Sequence, residues 1–218
     1  MFGGTFDPIH NGHLDAAEAA RLTCGLDTVL LVPARVTPHR SASPQASDYD
    51  RFAMAALAAD RRDGLVPCDI ELHSAGPSFT ALTLDRLTKT GVVPTQLFFI
   101  TGADAFAEIA TWHDYPAVLD RSHFVVVSRP GHPAEALRNH LSELQPRMRI
   151  PATLKNTSDP PVSIWLVDAV TREVSSSAIR SRLTEGVSID GLVPSAVAHY
   201  ITKHTLYVTS TAARRLHE

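Results

Sequence analysis

Five short apolar runs punctuate the chain: Thr28–Val32, Val66–Leu72, Gln96–Thr101, His123–Val127 and Val162–Val167. They are rich in Val, Leu, Ile and Phe, with little polar alternation, as expected of parallel strands buried on both faces. Between them lie stretches with helical spacing. Leu14, Ala17, Ala20 and Leu22 give residues 12–24 an apolar side, with Gly25 as a stop. Ser47 or Asp48 can cap a second helix running to about Arg62, and a third follows Pro77-Ser78-Phe79-Thr80, with Leu82, Leu84 and Leu87 inside. Helical stretches are expected over 104–112, 114–119, 133–144, 177–183 and 194–203, with 145–161 irregular and 209–218 frayed. Strands alternating with helices predict an α/β fold, a doubly wound parallel sheet with C-terminal helices packed on its side. The expected organisation is one domain over 1–208.

Composition narrows the class. The chain has 218 residues, 44% of them hydrophobic, and a formal net charge of -3. That suits a globular domain and gives no electrostatic footprint for nucleic acid or an anionic membrane surface. No apolar run is long enough to span a bilayer, and a cytoplasmic setting is the default expectation. Cys24 and Cys68 fit no metal spacing and read as free thiols.

The densest chemistry lies at the start: Gly3-Gly4-Thr5-Phe6-Asp7-Pro8-Ile9-His10-Asn11-Gly12-His13. Met1-Phe2 reads as the end of a strand and residue 14 onward as a helix. A strand, a glycine turn and a helix N-terminus together make an anion site. His10 and His13 flank Asn11-Gly12 and can both donate to one anion, more so when protonated beside phosphates. Asp7 reads as a residue that shapes the turn. The glycine pair falls so early that the first strand has almost no residues before it. A start codon upstream is the expectation. Near the other end, Ser175-Ser176-Ser177 caps a helix, and Arg180 lies on its first turns, able to reach back to the same anion.

The first run resembles the signature of the nucleotidylyltransferase superfamily, with its His-x-Gly-His element, and most resembles the bacterial nicotinate-nucleotide adenylyltransferases. The resemblance continues through Pro38-His39-Arg40, Pro77-Ser78-Phe79-Thr80, Gly102-Ala103-Asp104 with Trp112, and Ser175 to Arg180. Arg40, Phe79 and Ser177 stand where the family usually has Lys, Tyr and Thr. The resemblance implies a Rossmann-like fold and adenylyl transfer from ATP to nicotinate mononucleotide, giving deamido-NAD and pyrophosphate by direct in-line attack. It implies catalytic roles for His10, His13 and Arg180. ATP would meet Gly3, Gly4, Thr5, Phe6, His10, Gly12, His13, Arg40, Ser175, Ser176, Ser177 and Arg180. The acceptor would meet Thr80, Gly102, Asp104 and Trp112, with Trp112 stacked on the pyridine ring. Trp165 reads as core. Mg²⁺ is expected to be held mainly by substrate phosphates and water, with no protein metal ligands. A homo-oligomer is left open. The rivals are another transferase of the superfamily, such as a phosphopantetheine adenylyltransferase or a cytidylyltransferase, and a nucleotide-binding regulator without turnover.

Overall fold

The computed structural model describes residues 1–37, 43–151 and 161–208. Its centre is a seven-stranded sheet in the order β3-β2-β1-β4-β5-β7-β6. The strands are β1 Phe2–Gly4, β2 Val29–Pro33, β3 Leu65–Pro67, β4 Phe98–Gly102, β5 His123–Val127, β6 Met148–Arg149 and β7 Ile164–Val167. Every pairing is parallel. The helices are α1 Asn11–Cys24, α2 Asp48–Ala59, α3 Thr80–Thr88, α4 Ala103–Phe106, α5 Leu137–His140, α6 Ser176–Thr184 and α7 Ser195–Lys203.

The apolar strands bury side chains on both faces, which is why they carry no alternation. One face packs Leu31, Ile100, Val125 and Trp165 against α1, α2 and α7 through Leu14, Ala17, Met54, Ala55, Val197 and Ile201. The other packs Val32, Phe99, Phe124 and Val126 against α3, α4 and α5 through Leu84, Phe106 and Leu137. The C-terminal helices therefore complete one face of the sheet. Trp165 is core as expected, its indole N–H donating to His123 Nδ1 at 3.1 Å. Among the described residues no helix is long and apolar enough to cross a membrane.

Several boundaries differ from expectation for local reasons. The strand expected over 66–72 stops at Pro67, and the chain then turns through Leu72 N to Asp69 O and Ser74 N to Glu71 O. The last bond to β2 is Cys68 N to Leu31 O. The helix expected over 133–144 is broken into short pieces, because Leu141 leaves helical geometry at φ -119° and ψ 60°. The expected irregular stretch 145–161 contains β6, an edge strand too short to show a pattern; its residues 152–160 lie outside the described residues, as does the tail 209–218. β1 is three residues long yet sits at the middle of the sheet, paired with β2 and β4.

Strand order reverses between β1 and β4. In open α/β sheets the crevice at that switch, beyond the carboxyl ends of the strands, is where ligands bind. Gly4 and Gly102 end the two strands there.

Candidate active site

The turn after β1 is built around a close approach. A Cβ on Gly4 would lie 2.8 Å from the Phe6 ring, and Phe6 itself takes the left-handed conformation at φ 50°. Glycine at position 4 lets that ring fold back over the turn. The Asp7–Pro8 peptide is cis. The Asp7 side chain, 3% exposed, accepts from Gln45 N at 2.9 Å, Ala46 N at 3.1 Å and the Tyr207 hydroxyl at 2.9 Å. A buried carboxylate with its lone pairs committed to donors is structural, which matches the turn-shaping role read from the sequence. From α2, the fully buried Arg51 donates to Thr5 O at 2.6 Å and pairs with Asp48 at 2.6 Å.

His10 caps α1. Its Nδ1 accepts from His13 N, and His13 Nδ1 accepts from His10 N, both at 3.3 Å. The two rings stack, centroids 3.6 Å apart. This is a capping box made with histidines in place of the usual Ser and Glu. The sequence suggested two equivalent cationic donors, and the geometry separates them. His13 lines the cavity; His10 is 1% exposed behind it. Burial, with the charge of Arg129 adding to it, lowers the His10 imidazole to about 3. His10 is thus neutral at pH 7 in this structure. With Nδ1 of each ring accepting a main-chain N–H, each ring has only Nε2 left to donate, and of the two it is His13 that stands at the cavity wall. Gly12 serves packing: a Cβ there would lie 2.9 Å from Arg172 O.

The second motif docks directly on the first. Ser175 caps α6 by accepting from Ala178 N at 3.1 Å. The Ser176 hydroxyl donates to Pro8 O at 2.9 Å. Arg180 donates to Asp7 O at 2.7 Å and Ser177 Oγ at 3.2 Å, and stands 3.8 Å from the Asp7 carboxylate. Segments from opposite ends of the chain are one unit, as expected, though here Arg180 braces the turn and does not line the cavity. Arg40 lies outside the described residues, along with Pro38 and His39.

A cavity of about 350 Å³ runs from this turn across β4 to the acceptor residues. Gly3, Gly4, Thr5, Gly12 and His13 line one part of it; Thr80, Gly102, Asp104 and Trp112 line another. Gly102 leaves room for two side chains: a Cβ there would displace Asp104 Oδ1 and lie 2.8 Å from Arg129 Cδ. Arg129 Nη1 is 3.5 Å from Asp104 Oδ2, while Asp104 Oδ1 is buried with no protein hydrogen bond. That orphaned acceptor suits a ligand hydroxyl. Trp112 meets Phe99 edge-on at 5.8 Å.

Three lining residues escaped the sequence reading. Arg129 follows the carboxyl end of β5, where ligands gather. His113 stacks on Phe79 with centroids 4.2 Å apart. Glu71, 4% exposed, accepts from the Thr83 hydroxyl at 2.7 Å, and burial raises its carboxyl above the ordinary range; its position in an expected strand concealed it. Among the described residues, no group of three or more His, Cys, Asp or Glu is placed to hold a metal ion.

The model of the cytidylyltransferase-like family matches residues 1–182. The chain is 36% identical to a probable nicotinate-nucleotide adenylyltransferase of Salmonella gallinarum, over 95% of this chain and 97% of that one. It is also 36% identical to the nicotinate-nucleotide adenylyltransferase of Salmonella typhimurium, with the same coverage. In structure it resembles the Plasmodium falciparum nicotinic acid mononucleotide adenylyltransferase complexed with NaAD, with a TM-score of 0.66, 18% identity, and coverage of 94% and 95%; at that identity the likeness concerns the fold. Identity of this extent, on a seven-stranded parallel sheet with the first and last motifs joined at its switch point, shows that the chain belongs to the nicotinate-nucleotide adenylyltransferase family of enzymes.

Proposed function

We propose that this protein transfers the adenylyl group of ATP to nicotinate mononucleotide, a step of NAD biosynthesis set in the cytoplasm. The observation that carries the proposal is the single cavity joining His13 and the glycine turn to Thr80, Asp104 and Trp112. A phosphate-binding turn at one part and an aromatic-walled pocket at another fit a nucleoside triphosphate and a pyridine nucleotide together.

In the proposed reaction a 5′-phosphate oxygen of the mononucleotide attacks the α-phosphorus of ATP. The bond from that phosphorus to the β-bridging oxygen breaks in line, and its electron pair leaves with pyrophosphate. A new phosphoanhydride forms, giving deamido-NAD. The attacking phosphate is already anionic, so no general base is needed. The protein's work is positioning and charge stabilisation. His13 donates to the phosphates from the cavity wall. Gly3, Gly4 and Thr5 let the triphosphate lie against the main chain. Phe6, His10, Ser175, Ser176 and Ser177 hold that surface from behind, and Arg180 reaches the phosphates if it exchanges Asp7 O for them. Asp104 accepts from ribose hydroxyls, and Trp112 stacks on the ring. Mg²⁺ enters with ATP as part of the substrate.

The test mixes enzyme, ATP, Mg²⁺ and nicotinate mononucleotide and measures pyrophosphate, with phosphopantetheine and cytidylyl acceptors in parallel. Pyrophosphate with the pyridine mononucleotide alone is expected. No product at micromolar enzyme, or turnover only with another acceptor, overturns the proposal.

A further inference from the structure

The glycine turn after β1 is held from beneath by a charge with no role so far. Arg51, on α2, is fully buried and does not line the cavity. Its Nη1 donates to Thr5 O and its Nη2 to Asp48, both at 2.6 Å. Asp48 is half-buried and also lies 3.7 Å from Arg35. Arg51 Nε is buried with no acceptor among the described residues. The charge of Arg51 acts on Glu71, on the cavity wall, and on the Tyr207 hydroxyl that braces Asp7. Burying an arginine is costly, yet here one of its donors is committed to a single main-chain carbonyl.

That carbonyl belongs to the Thr5–Phe6 peptide. The cis peptides are Asp7–Pro8 and Tyr115–Pro116, so Thr5–Phe6 is trans, and its C=O and N–H point in opposite directions. With Thr5 O fixed on Arg51, the Phe6 N–H points away from α2. It meets no acceptor among the described residues. The cavity reaches the same turn at Gly4, Thr5 and Gly12. Phe6 holds φ 50°, a strained conformation for an aromatic residue, which persists only where its surroundings impose it.

We propose that Arg51 is a positioning residue for the adenylyl transfer: it holds the Thr5 carbonyl inward, so that the Phe6 N–H is presented to the phosphates of ATP. Two effects add. The guanidinium fixes the peptide plane before the ligand arrives, which removes an ordering cost from binding. It also polarises the peptide, and a chain of cation, amide and phosphate strengthens each of its hydrogen bonds. Arg51 touches no substrate and acts through one peptide group. The inference rests on the ATP assignment proposed above.

The experiment uses the whole protein with isotope-labelled phenylalanine, which marks eight residues. The Phe6 amide is followed by NMR while ATP and Mg²⁺ are added without an acceptor. In the unmodified protein its proton signal should move downfield, as when an amide bonds a phosphate. Arg51→Met keeps most of the buried volume and leaves Asp48 with Arg35 and water. It should weaken ATP binding about tenfold, the scale of one hydrogen bond to a charged group. The downfield movement should be lost at saturating ATP, and KM for the mononucleotide should be unchanged. Tyr200→Phe removes a hydroxyl that ties α7 to Asp50 of α2 at 2.9 Å, without touching Thr5. It should lower Tm and leave ATP affinity unchanged, which separates loosening of α2 from loss of the Thr5 contact. If Arg51→Met does not fold, Asp48→Asn/Arg51→Met, which strands no charge, takes its place. A Phe6 amide that ATP does not move in the unmodified protein overturns the proposal, and that measurement needs no variant. So does unchanged ATP affinity in Arg51→Met, or an equal loss in Tyr200→Phe. Failure of the unmodified protein to bind ATP overturns the ATP assignment itself, and that outcome is distinct from binding with a silent Phe6 amide.

Discussion

Replacing Tyr207 by Phe tests whether the first motif is held from the far end of the chain. The substitution removes one hydroxyl, 2.9 Å from Asp7 Oδ1, and leaves the ring in place. Hydrogen bonds to charged groups contribute roughly 1.5–3 kcal/mol. Asp7 keeps the N–H donors of Gln45 and Ala46, so the cost should fall near the lower end, about 1.5–2 kcal/mol. For a chain of this size that lowers Tm by about 3–8 °C, at roughly 2–4 °C per kcal/mol. A pH signature should accompany it. Burial first, then Asp7, pushes the Tyr207 hydroxyl well above its ordinary value. A group raised in the folded state contributes stability fully present below its unfolded value, about 10, and lost as pH rises beyond it. The Tm gap between the unmodified protein and Tyr207→Phe should therefore be constant from pH 7 to 9.5 and shrink above pH 10. Thermal melting across that range is the assay. A gap below about 1 °C at pH 7 would refute the bracing role, since no bond of the expected strength would have been lost.

His10 gives the opposite pH signature. Its imidazole is lowered from 6.5 to about 3, so its contribution is present above about 6.5 and drains as pH falls toward 3. His10→Asn keeps an N-cap acceptor, and its stability relative to the unmodified protein should improve between pH 7 and 4.5 in denaturant titrations; a constant difference would contradict the neutral, buried assignment. Two glycines should separate stability from binding. Gly12→Ala meets the main-chain oxygen of Arg172 at 2.9 Å and should cost about 1–3 kcal/mol, read as a lower Tm. Gly102→Ala meets the movable ends of Asp104 and Arg129, so it should leave Tm nearly unchanged while raising KM for the mononucleotide several-fold; an unchanged KM would show that those side chains do not set the acceptor site.

The elements that sequence disclosed best were those whose pattern is set by burial alone. His123–Val127 was bounded correctly because all its residues are buried. Gly25 adopts the left-handed conformation, φ 64°, just beyond the end of α1, where a glycine stop was expected. Elements set by distant partners were harder. β3 and β6 are short edge pieces defined by the strands beside them, and the helix over 133–144 breaks at a leucine no propensity would single out. The same division runs through the site. Thr80, Asp104 and Trp112 were found through motifs, whereas Glu71, His113 and Arg129 reach the cavity through tertiary folding and carry no local signature. The state of His10 depended on burial, which a lone histidine in a loop does not reveal.

Arg180 is where the sequence reading and the geometry make different demands. As a phosphate ligand it should contact the triphosphate; in this structure its guanidinium is engaged with Asp7 O and Ser177 Oγ. Both roles are compatible only if binding exchanges one set of acceptors for the other. The triphosphate offers stronger, charged acceptors than a main-chain carbonyl, so the exchange runs in the right direction. Arg180→Ala then has a two-part consequence. Loss of the brace should lower Tm by a few degrees, in line with about 1–2 kcal/mol for hydrogen bonds partly open to water. Loss of a donor to the transferring phosphates should lower kcat by about 10²–10³. The measurement pairs melting curves with steady-state pyrophosphate release at saturating ATP and mononucleotide. A lower Tm with kcat near that of the unmodified enzyme would confine Arg180 to bracing the turn and leave His13 as the principal side-chain donor to the phosphates.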